Sequence, residues 1–135
     1  MLPMNANDNQ PTVAILGASR DPAKFGYRSV QSHLRHGYRV FPINPHAQSI
    51  AGIKAYPTLD QIPVAKLDRI SVYLPPQTGI QLLEQIAAKQ PQEVWFNPGS
   101  ESEDLLAKAE QLGLPVIAAC SLVDLESRGE HAPDR

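Results

Sequence analysis

The residues best suited to chemistry are Gly17-Ala18-Ser19-Arg20, a small-residue turn that ends the apolar run Val13–Leu16. A turn of this kind, followed by a helical pattern, leaves backbone N–H groups unobstructed at a helix mouth. There they can hydrogen-bond a phosphate or diphosphate. Arg20, Lys24 and Arg28 follow closely and can add charge-assisted bonds to a phosphorylated ligand; solvated charges at a helix start are the plain alternative. The dinucleotide pattern G-x-G-x-x-G is absent, because Ser19 and Pro22 stand where its later glycines belong. Asn44 stands at the end of the second strand, where an NAD site usually offers Asp or Glu to the ribose diol. Ligand binding is therefore expected ahead of catalysis, with a nicotinamide cofactor disfavoured but kept as an alternative.

Groups capable of covalent or acid–base work do not converge. Cys120 is the one cysteine; it cannot form an internal disulfide or build a zinc site alone, and nothing signals the base or oxyanion site a nucleophile needs. His33 and His36 fall on the first helix and are expected to face solvent, His36 also suiting the negative end of the helix dipole. His46 lies nearest the strand ends and could touch a phosphate; His131 lies in the tail. Glu101 and Glu103 suit a helix start, Asp124 and Glu126 read as solvated carboxylates, and Trp95 reads as core. No catalytic constellation is visible.

A chain of 135 residues suffices for one core. The expected organisation is a disordered leader over 1–10, a domain over 11–128 and a disordered tail over 129–135. A net charge of −2 advertises neither nucleic acid nor an anionic membrane. The N-terminal residues lack a signal-peptide pattern and no apolar run approaches a membrane span, so a cytoplasmic protein is expected. Strands are expected at Val13–Leu16, Tyr38–Ile43, Lys54–Tyr56 (a short edge), Arg69–Leu74, Glu93–Phe96 and Pro115–Ala118. Between them, Tyr27, Val30 and Leu34 mark a first amphipathic helix ending at Gly37. A single helical turn falls within Pro57–Ile62. Thr78-x-x-Gln81 and Ser100-x-x-Glu103 read as capping boxes of two further helices, and Ser121–Ser127 as a terminal one. Alternating strands and helices imply an α/β fold: a Rossmann-like, doubly wound parallel sheet of about five to six strands with helices on both faces. Pro42 fits only if its strand's outer neighbour is the short Lys54–Tyr56 edge. In such sheets ligands bind beyond the carboxyl ends of the strands. Gly17–Arg20, Asn44-Pro45, Pro75-Pro76 and Asn97-Pro98-Gly99 would converge there as a cleft shaped by small or rigid residues.

The segments VAILGASRDPAKFGYRSV, HGYRVFPINP, VYLPP and VWFNPGSESEDLLAKAEQLGLPVI, with the Cys120 neighbourhood, carry a resemblance. The chain resembles the stand-alone CoA-binding domain proteins (the YccU-like family), related to the N-terminal domain of the succinyl-CoA synthetase α subunit, over about Pro11 to Glu126. The resemblance implies CoA or an acyl-CoA as ligand. Gly17, Ala18 and Ser19 match the family's phosphate-facing turn, and Asn44 and Pro45 the loop bordering the adenosine phosphates. Tyr73, Leu74 and Pro75 match the strand end flanking the adenine, and Phe96, Asn97 and Gly99 the loop near the pantetheine arm. Arg20 or Lys24 would supply cationic help. Around Cys120 the chain reads Ala118-Ala119-Cys120-Ser121, departing from the charged pair and proline that commonly flank the family's late cysteine. The implied reading is a non-catalytic CoA-binding module, with a small-molecule ligand and a possible homodimer or partner protein. The alternatives are an NAD(H) or other nucleotide-binding sensor or enzyme, and an interaction module with a vestigial cleft.

Overall fold

The computed structural model describes residues 10–128; His131, the expected tail and all but the last residue of the expected leader lie outside them. In chain order the elements are β1 (Thr12–Leu16), α1 (Phe25–Arg35), β2 (Arg39–Ile43), the hairpin strands β3 (Ser49–Ile50) and β4 (Ile53–Lys54), and a 3-10 turn (Leu59–Gln61). Then come β5 (Arg69–Val72), α2 (Pro76–Gln81), α3 (Leu83–Ala88), β6 (Glu93–Phe96), α4 (Glu103–Gln111), β7 (Val116–Ile117) and α5 (Ser121–Ser127).

Five of these strands form one parallel sheet in the order β2-β1-β5-β6-β7. β1 is its apolar spine, with Val13, Ala14, Ile15 and Leu16 all buried, because both faces of a parallel sheet are covered. Ala14 and Leu16 join Phe41, Ile70, Val72, Val94 and Phe96 in one core layer, which includes Leu83, Ile86 and Leu105 from α3 and α4. Val13, Ile15 and Val40 point the other way, toward Val30 of α1 and Leu125 of α5. This is the Rossmann-like α/β arrangement. The winding reverses between β1 and β5, which opens a crevice above their carboxyl ends.

Pro42 is accommodated as expected. β2 is an edge strand of this sheet, and its outer side meets only the bridge at Tyr56, whose N–H donates to Pro42 O at 2.9 Å. The expected Lys54–Tyr56 strand is instead split. Lys54 closes the β3–β4 hairpin, and Tyr56 bridges β2 alone.

Other boundaries moved for local reasons. The Thr78–Gln81 box does not form; the helix starts three residues earlier, at Pro76 after an N-cap at Pro75, where a missing N–H is harmless. It is then interrupted at Leu82, so one expected helix becomes α2 and α3. α4 is capped by Ser102, not Ser100: Ser102 Oγ accepts from Leu105 N–H at 3.1 Å. Ser100 Oγ donates to Asn97 O at 2.7 Å instead. Among the described residues no helix is long and apolar enough to cross a membrane.

Candidate functional site

Gly17 sits one residue past β1 with φ +85°, a backbone conformation that favours glycine. A Cβ there would lie 3.0 Å from the Tyr73 carbonyl carbon and 3.1 Å from Leu74 Cδ2, so the turn is pressed against the end of β5. Gly26, the second residue of α1, is packed more tightly. A Cβ on it would come within 2.4 Å of Gly17 O and 3.2 Å of Ala18 Cα. Two glycines thus let strand end, turn and helix start touch through their backbones.

The hydrogen-bond pattern leaves this corner open. Among the described residues, none accepts from the N–H of Gly17, Ala18, Ser19 or Arg20. Ser19 Oγ accepts from Asp21 N–H at 3.0 Å and Asp21 Oδ1 from Ala23 N–H at 2.9 Å, which shapes the descent into α1. α1 itself has Lys24 at its N-cap, no side-chain cap and no acidic residue in its first turn. Lysine is a poor N-cap, and a cation at the positive end of a helix dipole is unfavourable unless an anion arrives.

Over this corner lies a cleft of about 580 Å³, within the range of small-molecule sites. Gly17, Ala18, Ser19 and Lys24 line it on one side, Asn44, Pro45 and His46 on another, and Tyr73 and Leu74 on a third. It runs into a second hollow of about 360 Å³ that shares Gly17, Ser19, Lys24, Tyr73 and Leu74, then reaches Pro75, Pro98, Gly99 and the exposed ring of Phe25. Among the described residues, neither lining contains a carboxylate. Asn44 is locked into the wall: its Nδ2 donates to Ala18 O at 2.8 Å and its Oδ1 accepts from His46 N–H at 2.7 Å.

Three of the expected site residues stand elsewhere. Arg20 is exposed and outside both hollows. Phe96 is fully buried in the core layer, because alternation along β6 points it with Val94 into the packing against α3 and α4 rather than into the cleft. Asn97 is 2 % exposed, and its amide is engaged internally. Nδ2 donates to Ser71 Oγ at 2.9 Å and Val72 O at 2.8 Å, while Oδ1 accepts from Ser121 N–H at 2.8 Å. At that end of the cleft, Pro98, Gly99 and Ser100 form the wall instead. Gly26, Phe25, Thr58, Leu82 and Gln85 line the site without having been expected there. Of these only Gly26 carried a signal, since a glycine just inside a helical pattern is unfavourable without a close packing partner.

Neither His33 nor His36 stands free in solvent as expected, His36 being half-buried with its Nε2 enclosed. His33 does not face solvent: it is fully buried on the α1/α5 side of the sheet. Its Nε2 lies 3.3 Å from Arg69 Nη1; guanidinium only donates, so Nε2 accepts and Nδ1 carries the proton, donating to Ser29 O at 2.9 Å. Burial, reinforced by the Arg69 charge, lowers its pKa from 6.5 to about 3, the Ser29 bond opposing. Arg69 is itself 2 % exposed, paired with Glu93 and Asp124 and stacked against the Trp95 and Tyr38 rings. The buried stripe of α1 therefore runs through Gly26, Ser29, Val30 and His33, and Leu34 is exposed. His36 is half-buried, its Nδ1 bonding Ser32 O at 2.8 Å. His46 is exposed at the cleft, and Cys120 is half-buried and precedes α5. Trp95 is core, as expected, its Nε1 donating to Glu93.

Sheet order, switch point and the glycine-built corner together define the class: a Rossmann-like α/β domain with an open crevice at its carboxyl edge. A family model described as CoA binding domain matches residues 11–126, and the chain belongs to that family. It is similar to the alpha subunit of an ADP-forming acetate–CoA ligase II from Pyrococcus furiosus, 30 % identical over 82 residues, covering 60 % of this chain and 18 % of that subunit. The chain thus spans less than a fifth of that relative. A solved conserved hypothetical protein from Pyrococcus furiosus is 31 % identical with a TM-score of 0.76, over 84 % of this chain and 98 % of that one. The dinucleotide-forming acetyl-coenzyme A synthetase 1 of Ca. Korarchaeum cryptofilum, solved with phosphate and ADP, is 25 % identical with a TM-score of 0.70, over 86 % of this chain and 27 % of that one.

Proposed function

We propose that the chain is a non-catalytic binding protein for CoA or an acyl-CoA, holding the ligand's diphosphate at the Gly17-Ala18-Ser19 turn and the start of α1. The observation that carries this reading is the row of unengaged N–H groups from Gly17 to Arg20 beside an uncapped helix start. Backbone donors of this kind match a diphosphate. Lys24, which lines both hollows, supplies the nearby positive charge. The adenosine lies between the Asn44-Pro45 and Leu74-Pro75 walls, and the pantetheine runs past Gly99. Asn44 takes the place of a ribose-binding carboxylate and is engaged with Ala18 and His46, which disfavours NAD(H). The membership in the CoA binding domain family and the likeness to CoA ligases support the same ligand.

A thermal-shift titration with CoA, acetyl-CoA, NAD(H), NADP(H) and ATP tests this. CoA or acetyl-CoA at a hundred times its Kd adds about 2.7 kcal/mol, a rise in Tm of roughly 10 °C for a chain of this size. A response to NADH without one to CoA overturns the ligand, and silence toward all of them overturns binding itself.

A further inference from the structure

Behind the cleft, on the α1/α5 side of the sheet, a polar cluster joins three elements and is absent from both cleft linings except at one residue. Ser71 Oγ and Ser121 Oγ lie 2.8 Å apart, Tyr73 OH lies 3.0 Å from Ser121 Oγ, and Asn97 bridges Ser71 and Ser121 through both ends of its amide. Ser71 and Ser121 are fully buried and Asn97 nearly so. The exception is Tyr73. It follows β5, lines both hollows, and its backbone abuts the Gly17 turn, with its N–H donating to Leu16 O at 2.9 Å. Burying three polar side chains together, with half-buried Tyr73 beside them, is costly unless all are satisfied and oriented. The arrangement concentrates that orientation on the one residue which reaches the ligand.

α5 is also held at its middle, by Asp124 on the buried Arg69 at 2.9 Å. It therefore forms a fixed back-plate, although it contributes nothing to the cleft lining. We propose that Ser121, with Asn97, is a positioning residue for the cleft: it fixes Tyr73 against the Gly17 turn, so that α5 governs affinity without touching ligand. The proposal rests on the CoA reading for its ligand but not for its mechanical claim.

The test measures CoA affinity by calorimetry at about 15 °C, in the range where domains are typically most stable, and amide hydrogen exchange without ligand. Ser121→Ala is expected to raise the Kd for CoA about fivefold, the equivalent of one neutral hydrogen bond. Tyr73→Phe is expected to do the same, and the double variant to be no weaker than either single one. In the ligand-free protein, Ser121→Ala is expected to speed exchange of the Tyr73 amide while leaving the distant Arg39 amide, bonded to Pro11 O, unchanged. A Kd unaltered in Ser121→Ala, or strictly additive effects, overturns the proposal. If the unaltered chain does not bind CoA, the functional reading fails, and exchange alone decides here. A local change at Tyr73 then upholds the positioning role, and a uniform change or none overturns it.

Discussion

At Gly26 a single missing methyl group decides how closely α1 approaches the Gly17 turn. A Cβ would sit 2.4 Å from Gly17 O, so Gly26→Ala must push helix and turn apart; overpacking of this kind costs about 1–3 kcal/mol. The expected result is a protein with reduced Tm and CoA affinity weakened by about tenfold or more, read by calorimetry. Lys24→Ala removes an exposed charge and leaves the donors in place, so a few-fold loss is expected, shrinking in high salt. His33 makes a prediction of a different kind. It is neutral in the folded chain because its pKa is lowered to about 3, whereas the unfolded chain takes up a proton near pH 6.5. The folded state therefore loses stability as pH falls from about 6.5 toward 3, by about 1.4 kcal/mol per pH unit from this group. His33→Gln is expected to flatten the fall of Tm between pH 6.5 and 4.5 relative to the unaltered chain. These residues were unequally legible. Gly17 announces itself at a strand end, but His33 lies on a face that Tyr27, Val30 and Leu34 assign to solvent. Its partner Arg69 is 36 positions away.

Elements follow local pattern well where one face is apolar, and poorly at their ends. β1, β2, β5 and β6 lie close to the apolar runs that announce them. The ends of the helices were set by competition between neighbouring polar residues. Ser100 and Ser102 both precede α4, and only Ser102 becomes the cap, because Ser100 is drawn to the Asn97 carbonyl. Ser102→Ala is accordingly expected to cost about 1 kcal/mol, measured by urea denaturation. Asn97 shows the same competition from the other side. In the sequence it looks like part of a polar loop open to ligand; in the fold, β5 and α5 enclose it and satisfy its amide.

For the whole molecule, alternating strands and helices determined a parallel α/β sheet with its ligand edge at the strands' carboxyl ends, since each apolar run must be buried and each crossover is right-handed. The sequence also carried the turn that leaves Gly17–Arg20 free, because glycine and small residues restrict what can fill that corner. Tertiary packing alone decided which side chains reach the cleft. Alternation packs Phe96 into the core against α3 and α4, and three elements meeting around Asn97 bury that residue. Packing likewise placed Tyr73 between the cleft and α5, and joined His33 to Arg69. Those outcomes depend on contacts between residues far apart in the chain, whose geometry no local spacing encodes.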